Sequence, residues 1–127
     1  MQVDILTGDV GATYEGRWFA LLPTAQWASG YFNPLTGYMN LADSLGVCEK
    51  MRTTDGLFWP VPIVNVVPDV SGIRGAKRIA LLDPNVEGNP VLAVQDVESI
   101  DEASDEQMKL MAEKVYRTTD MDHPGVK

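Results

Sequence analysis

The chain has 127 residues, which is the length of one domain rather than two. Apolar residues make up 45% of it and charged residues 22%, so neither a disordered nor a fibrous protein is expected. The 18 acidic residues exceed the 10 basic ones, and the net charge of −8 disfavours binding to nucleic acid or to anionic membranes.

Cys48 is the single cysteine, so the sequence allows no intrachain disulfide and no zinc site built from cysteines. Residues 1–4 contain no basic segment of the kind that opens a signal peptide. No apolar run approaches the length of about 18 residues that marks a membrane-spanning helix. We therefore expect a soluble protein of the reducing cytoplasm.

The first third of the chain predicts a strand, a loop and a short helix. Residues 2–7 alternate as a short strand does, and the glycine-rich residues 8–16 are predicted to be loop. Pro23 is suited to open a helix that covers residues 24–29.

The next segment predicts a capped helix and a strand. Asn40 is a suitable N-cap for a helix from Leu41 to Met51. The apolar stripe of this helix consists of Leu41, Leu45 and Cys48, widened by Val47 and Met51. Asp55 and Gly56 predict a turn, and the β-branched residues 61–67 predict a strand bounded by prolines.

The last third predicts a hairpin followed by a helix. Residues 77–82 and 90–100 are expected to pair as antiparallel strands, because the seven residues between them are mostly turn formers. Ser104 and Gln107 form a capping box before a helix with apolar positions 108, 111, 112 and 115. The elements together predict an α+β fold, with helices outside a small mixed sheet or barrel.

Few residues of the sequence are candidates for catalysis, metal binding or phosphate binding. His123 is the single histidine, which excludes a histidine-rich metal site, and no Gly-x-Ser-x-Gly motif is present. Cys48 lies on the apolar helix stripe, where an inert core thiol is expected. The glycine-rich segments 8–11 and 71–75 lack phosphate-loop spacing and are predicted to be surface turns.

Three groups of side chains leave two interpretations open. The basic group could contact an anion or be solvated. The acidic group could suggest a divalent cation, but its spacing does not match a calcium loop, and a solvated edge with acids in the first turn of a helix is expected instead. The aromatic group could stack on a ligand or pack in the core or at an interface. The basic group is Arg74, Lys77 and Arg78. The acidic group is Asp96, Glu98, Asp101, Glu102, Asp105 and Glu106. The aromatic group is Trp18, Trp27, Trp59, Tyr31 and Phe32.

Four ordered segments resemble the N-terminal part of ATP sulfurylase (sulfate adenylyltransferase). They are residues 30–40 (GYFNPLTGYMN), 51–63 (MR and then DGLFWPVPI), 78–84 (RIALLDP) and 118–126 (TTDMDHPGV). Residues 76–127 look most like the enzymes of dissimilatory sulfur metabolism. The resemblance covers residues 30–127, whereas residues 1–29 match poorly.

The resemblance implies a single PUA-like domain over residues 1–127, an α+β pseudo-barrel of mixed strands with flanking helices. The family's catalytic domain would begin at Lys127, and its Gln-x-Arg-Asn-Pro-x-His-x-x-His motif does not occur in this sequence. No catalytic, cofactor-binding or metal-binding residue is therefore assigned, and no cofactor is implied. We expect the domain to be inactive by itself.

The implied role is to brace the catalytic domain that activates sulfate and to help form the oligomer. A domain separated from such a neighbour exposes an apolar face, and such faces tend to find partners. We therefore expect a homodimer or association with an ATP sulfurylase catalytic domain. Two alternatives remain, an RNA-binding PUA module and a small-ligand regulatory module, and the acidic charge opposes the first.

Overall fold

The structure is a computed structural model that describes residues 3–7, 30–67, 69–82 and 86–126. The elements within these ranges are, in chain order, β1 (Val3–Thr7), α1 (Leu41–Lys50), β2 (Asn65–Val67), β3 (Arg78–Leu82), β4 (Val91–Asp96), β5 (Ser99–Ala103) and α2 (Asp105–Tyr116). The predicted loop at 8–16 and the predicted helix at 24–29 lie outside the described residues.

The described strands form two sheets. β1 lies between β2 and β5 and pairs antiparallel with both, so the sheet order is β2-β1-β5. β3 and β4 form a separate antiparallel pair. These pairings confirm the predicted strand near residues 2–7 and the predicted hairpin, and the α+β class is confirmed.

Two predicted strands are wrong in extent. The strand predicted over residues 61–67 is formed only at Asn65–Val67, because Pro62 has no amide proton and the Ile63 carbonyl accepts the Met39 N–H instead of a strand partner. The strand predicted over residues 90–100 is two strands. The chain leaves β4 after Asp96 and joins β1 as β5, so one continuous run serves both sheets.

Both helices start at the predicted caps. The Asn40 side chain accepts the Asp43 N–H at 2.8 Å, and α1 ends one residue before the predicted Met51, which is left-handed with φ 54°. In α2 the capping box is complete, since Ser104 and Gln107 accept hydrogen bonds from each other's backbone N–H.

Two apolar clusters hold these elements together. The first joins α1, α2 and β5, and the second lies beneath the β3–β4 hairpin. The first includes Ala103, Met111, Met108, Leu41, Leu45 and Cys48, which confirms the central three residues of the predicted stripe of α1. Val47 is buried, but Met51, which was predicted to widen the stripe, is exposed because it is the left-handed residue after the end of the helix. The second includes Ile79, Leu81, Val67, Ala93, Val97 and Ile100.

A buried pair of amide side chains connects the two sheets. The Asn65 Nδ2 on β2 donates to the Gln95 Oε1 on β4 at 3.0 Å, and both side chains are buried. A buried amide that loses its partner costs about 1–3 kcal/mol. The hydrogen bond therefore favours one arrangement of the sheets over packings that separate these two residues.

We predict that Gln95→Leu lowers the free energy of unfolding by about 1–3 kcal/mol, because the buried Asn65 amide loses its acceptor. Urea unfolding monitored by circular dichroism measures the loss. The double variant Asn65→Leu, Gln95→Leu should lose less than the sum of the two single variants. Strictly additive losses would contradict a coupling between these side chains.

Candidate interaction surface

Residues 51–59, the 51–59 loop, follow α1 directly and fold back as a narrow hairpin. The Thr53 N–H donates to the Leu57 carbonyl at 2.9 Å, and the Trp59 N–H donates to the Met51 carbonyl at 3.0 Å. These two backbone hydrogen bonds hold the two arms of the loop together.

Arg52 and Phe58 face each other across the loop as an antiparallel bridge. Both side chains are exposed, and that of Phe58 is 56% exposed. The Arg52 guanidinium is held by the loop itself, since its Nη1 donates to the Gly56 carbonyl at 3.0 Å. The loop therefore presents an aromatic and a cationic side chain to solvent at one cross-strand position.

The tip of the loop is fixed by local hydrogen bonds. The Thr53 hydroxyl donates to the Asp55 carboxylate and accepts the Leu57 N–H at 3.1 Å. The hydrogen bonds from Thr53 and then from the Leu57 backbone hold the pKa of Asp55 below its ordinary value, so this carboxylate is ionised at neutral pH. Gly56 has φ 90°, which confirms the turn predicted at Asp55 and Gly56.

Helix α1 anchors the loop through Asp43. Its carboxylate Oδ1 accepts the Thr54 N–H at 2.7 Å and the Thr54 hydroxyl at 2.6 Å. Asp43 thus lies in the first turn of α1, where the helix dipole favours a negative charge, and it also holds Thr54 at the tip of the loop.

Gly46 lets the loop approach α1. A Cβ atom built on Gly46 would lie only 2.7 Å from the backbone carbonyl oxygen of Arg52. Sequence reasoning passed over this residue. A glycine inside a helix lowers the stability of that helix by about 1 kcal/mol relative to alanine. A glycine in the middle of the predicted helix therefore indicated a close packing contact, and this was the signal that the sequence offered.

Apolar side chains are exposed around the loop. Phe32 and Trp59 pack edge to face with ring centroids 6.5 Å apart, which favours the packing interpretation for these two aromatic residues. Their sequence neighbours are exposed: Tyr31 is 75% exposed, and Phe58 projects from the loop. Met51, at the start of the loop, is 49% exposed.

Residues 118–126, the segment TTDMDHPGV that contains His123, form a second ordered turn. The His123 Nδ1 accepts the Gly125 N–H at 3.2 Å, and the His123 ring lies 5.1 Å from the Tyr116 ring. A Cβ atom on Gly125 would lie 2.6 Å from that tyrosine ring. His123 therefore orders the turn that follows α2.

Three of the charged candidates, Arg78, Asp96 and Asp101, make structural contacts. Arg78 and Asp96 form a salt bridge between paired positions of β3 and β4, with Nε and Oδ1 2.5 Å apart. Asp101 accepts the Leu41 N–H at 3.0 Å and so satisfies an amide at the start of α1. Within the described ranges, no group of three or more His, Cys, Asp or Glu residues could hold a metal ion.

The remaining candidates fall into two sets. Residues 71–75 are a turn with Gly75 at φ 85°, as predicted. Trp18, Trp27 and residues 8–11 lie outside the described residues.

In the part of the chain that the structure describes, no helix has the length and apolar character needed to span a membrane.

Comparisons with known proteins agree with the resemblance. A family model described as a PUA-like domain matches residues 20–127. The sulfate adenylyltransferase of Alcanivorax borkumensis is 65% identical over 99 residues, which are 78% of this chain and 25% of that protein. The sulfate adenylyltransferase of Allochromatium vinosum is 57% identical over 98 residues, or 77% of this chain and 25% of that protein.

A third relative gives the same proportions. The sulfate adenylyltransferase of the Riftia pachyptila sulfur-oxidizing endosymbiont is 55% identical over 104 residues, which are 82% of this chain and 23% of that protein. The chain thus spans about a quarter of the length of these curated relatives.

We predict that Gly46→Ala destabilises the protein by about 1–3 kcal/mol, although alanine is the better helix former, because its Cβ would overlap the Arg52 carbonyl. Gly72→Ala is the matched control, since no atom lies within 4 Å of the Cβ it would add. Urea unfolding of both variants measures the difference. A Gly46→Ala variant as stable as the Gly72→Ala control would contradict the close approach.

We predict that Cys48 reacts slowly with thiol reagents in the folded protein. Burial, and to a lesser extent the negative charge of Glu49, raises the pKa of the Cys48 thiol to about 11. At pH 8 the reactive thiolate is then about two orders of magnitude scarcer than for an ordinary thiol of pKa near 8.5. Labelling with a chromogenic disulfide should be at least about a hundredfold faster in urea, and rates within tenfold would contradict this prediction.

Proposed function

The chain belongs to the PUA-like domain family, and on that premise we propose that it is the PUA-like domain of a sulfate adenylyltransferase. That enzyme joins ATP and sulfate to give adenosine phosphosulfate and pyrophosphate. We take residues 1–127 as one domain that is non-catalytic by itself and supports the catalytic part. The observation that carries the proposal is 65% identity to a sulfate adenylyltransferase of which the chain spans only a quarter.

The charges of the chain support a non-catalytic role. Nucleotidyl transfer needs positive groups that converge on the phosphates and offset the charge of the transition state. Here Arg78 is paired with Asp96, Arg52 donates to a carbonyl of its own loop, and the net charge is −8. These features favour placing the chemistry in the three quarters of the relatives that the chain does not span.

The proposal also includes the cellular compartment of the protein and its association with a partner. A cytoplasmic location is supported by a single, partly buried thiol, because the cytoplasm keeps thiols reduced. Association with a catalytic domain, or with a second copy, is supported by the exposed Tyr31 and Phe58. In either state the domain would serve sulfate assimilation and sulfur metabolism through the enzyme it completes.

We predict that this chain can replace the aligned quarter of the Alcanivorax borkumensis enzyme. The chimaera should fold and form adenosine phosphosulfate from ATP and sulfate, because the exchanged segments are 65% identical. Pyrophosphate release measures the activity. The isolated chain is the control and should release none.

An aggregated or inactive chimaera would contradict the proposal, as would turnover by the isolated chain. An RNA gel shift at moderate salt tests the alternative, and tight binding there would favour an RNA-binding module over a domain of this enzyme.

A further inference from the structure

The 51–59 loop is ordered by its own hydrogen bonds before any partner binds. Backbone hydrogen bonds join its two arms, and the Thr53 hydroxyl accepts a hydrogen bond from Leu57 across its tip. Asp43 of α1 holds Thr54, which also lies in the tip. A surface that is already ordered loses little conformational entropy on binding. The loop is therefore suited to rigid docking.

The side chains that this loop exposes are of the types that anchor interfaces. Phe58 is 56% exposed, Met51 is 49% exposed, and Arg52 lies across the bridge from Phe58. Aromatic residues, methionine and arginine are enriched in interfaces, and a few such residues supply most of the binding energy. Arg52 and Phe58, which share one cross-strand position, thus present a cationic and an aromatic side chain on a fixed backbone.

The relatives indicate what covers this surface. The chain corresponds to about a quarter of each sulfate adenylyltransferase, so three quarters of those proteins lie beyond the matched part. A second copy of this chain is a poorer occupant, because two molecules that each carry a charge of −8 repel each other. The exposed Arg52 instead fits an apolar partner face that carries a carboxylate.

We infer that the 51–59 loop is the contact through which this domain docks on the remainder of a sulfate adenylyltransferase, with Phe58 as its anchor. The inference rests on the proposed function and adds the residues that make the contact. Phe58 enters an apolar pocket of the partner, and Arg52 pairs with a carboxylate at the edge of that pocket. The loop acts by positioning the domain and takes no part in the chemistry.

Phe58→Ser, compared with Val94→Ser, tests the inference. Val94 is the matched control because it is 54% exposed and lies on β4, away from the loop in the chain. In the isolated chain both variants should leave the urea midpoint unchanged, since each removes an exposed side chain. In the active chimaera, Phe58→Ser should speed proteolytic cleavage between the domain and the remainder about tenfold or more, and Val94→Ser should not.

The outcomes separate the inference from the proposed function. A wild-type chimaera without activity overturns both. An active chimaera in which Phe58→Ser and Val94→Ser are cleaved at equal rates overturns the docking assignment alone. Sedimentation of the isolated chain adds one more outcome: a dimer that Phe58→Ser dissociates would make a second copy the occupant and would also overturn the assignment.

Discussion

The missing side chain of Gly46 is the constraint on which the exposed surface depends. Only a residue without a Cβ lets the Arg52 carbonyl approach α1 as closely as it does here. This approach places Thr54 within reach of Asp43 and aligns Arg52 opposite Phe58. Gly46 therefore lowers the intrinsic stability of α1 as a helix but allows the loop that follows the helix to pack against it.

The loop is as firmly placed as the helix that carries it. Asn40 and Asp101 both satisfy amides at the start of α1, and Asp101 belongs to β5, so the helix is tied to the three-stranded sheet. That sheet is joined to the β3–β4 pair by the buried hydrogen bond between Asn65 and Gln95. A chain of specific polar contacts thus runs from the second sheet to the loop, across apolar clusters that are themselves less directional.

Features with local causes could be predicted from the sequence. The Ser104 capping box, the Asn40 cap and the turn at Gly56 each depend on residues a few positions apart, and all three are present. The extents of the strands could not be predicted, because they depend on distant partners. Ile63 is drawn from its expected strand by the amide of Met39, 24 positions earlier in the chain.

The exposure of Phe58 was also beyond sequence reasoning. An aromatic residue followed by Trp59 and prolines is typical of packed segments, and only the bridge to Arg52 shows which face it occupies. The resemblance to sulfate adenylyltransferases identified the domain but gave no role to this side chain. Its exposure follows from the geometry of the loop, since a backbone held by several hydrogen bonds keeps the aromatic ring in water.

Hydroxyl-radical footprinting of the isolated chain and of the chimaera tests the central claim most directly, because it measures the solvent exposure of individual side chains. We predict that Phe58 is modified several-fold more slowly in the chimaera, whereas Val94 is modified at the same rate in both proteins. Equal modification of Phe58 in the two proteins would show that the 51–59 loop faces solvent in the assembled enzyme and would contradict the account.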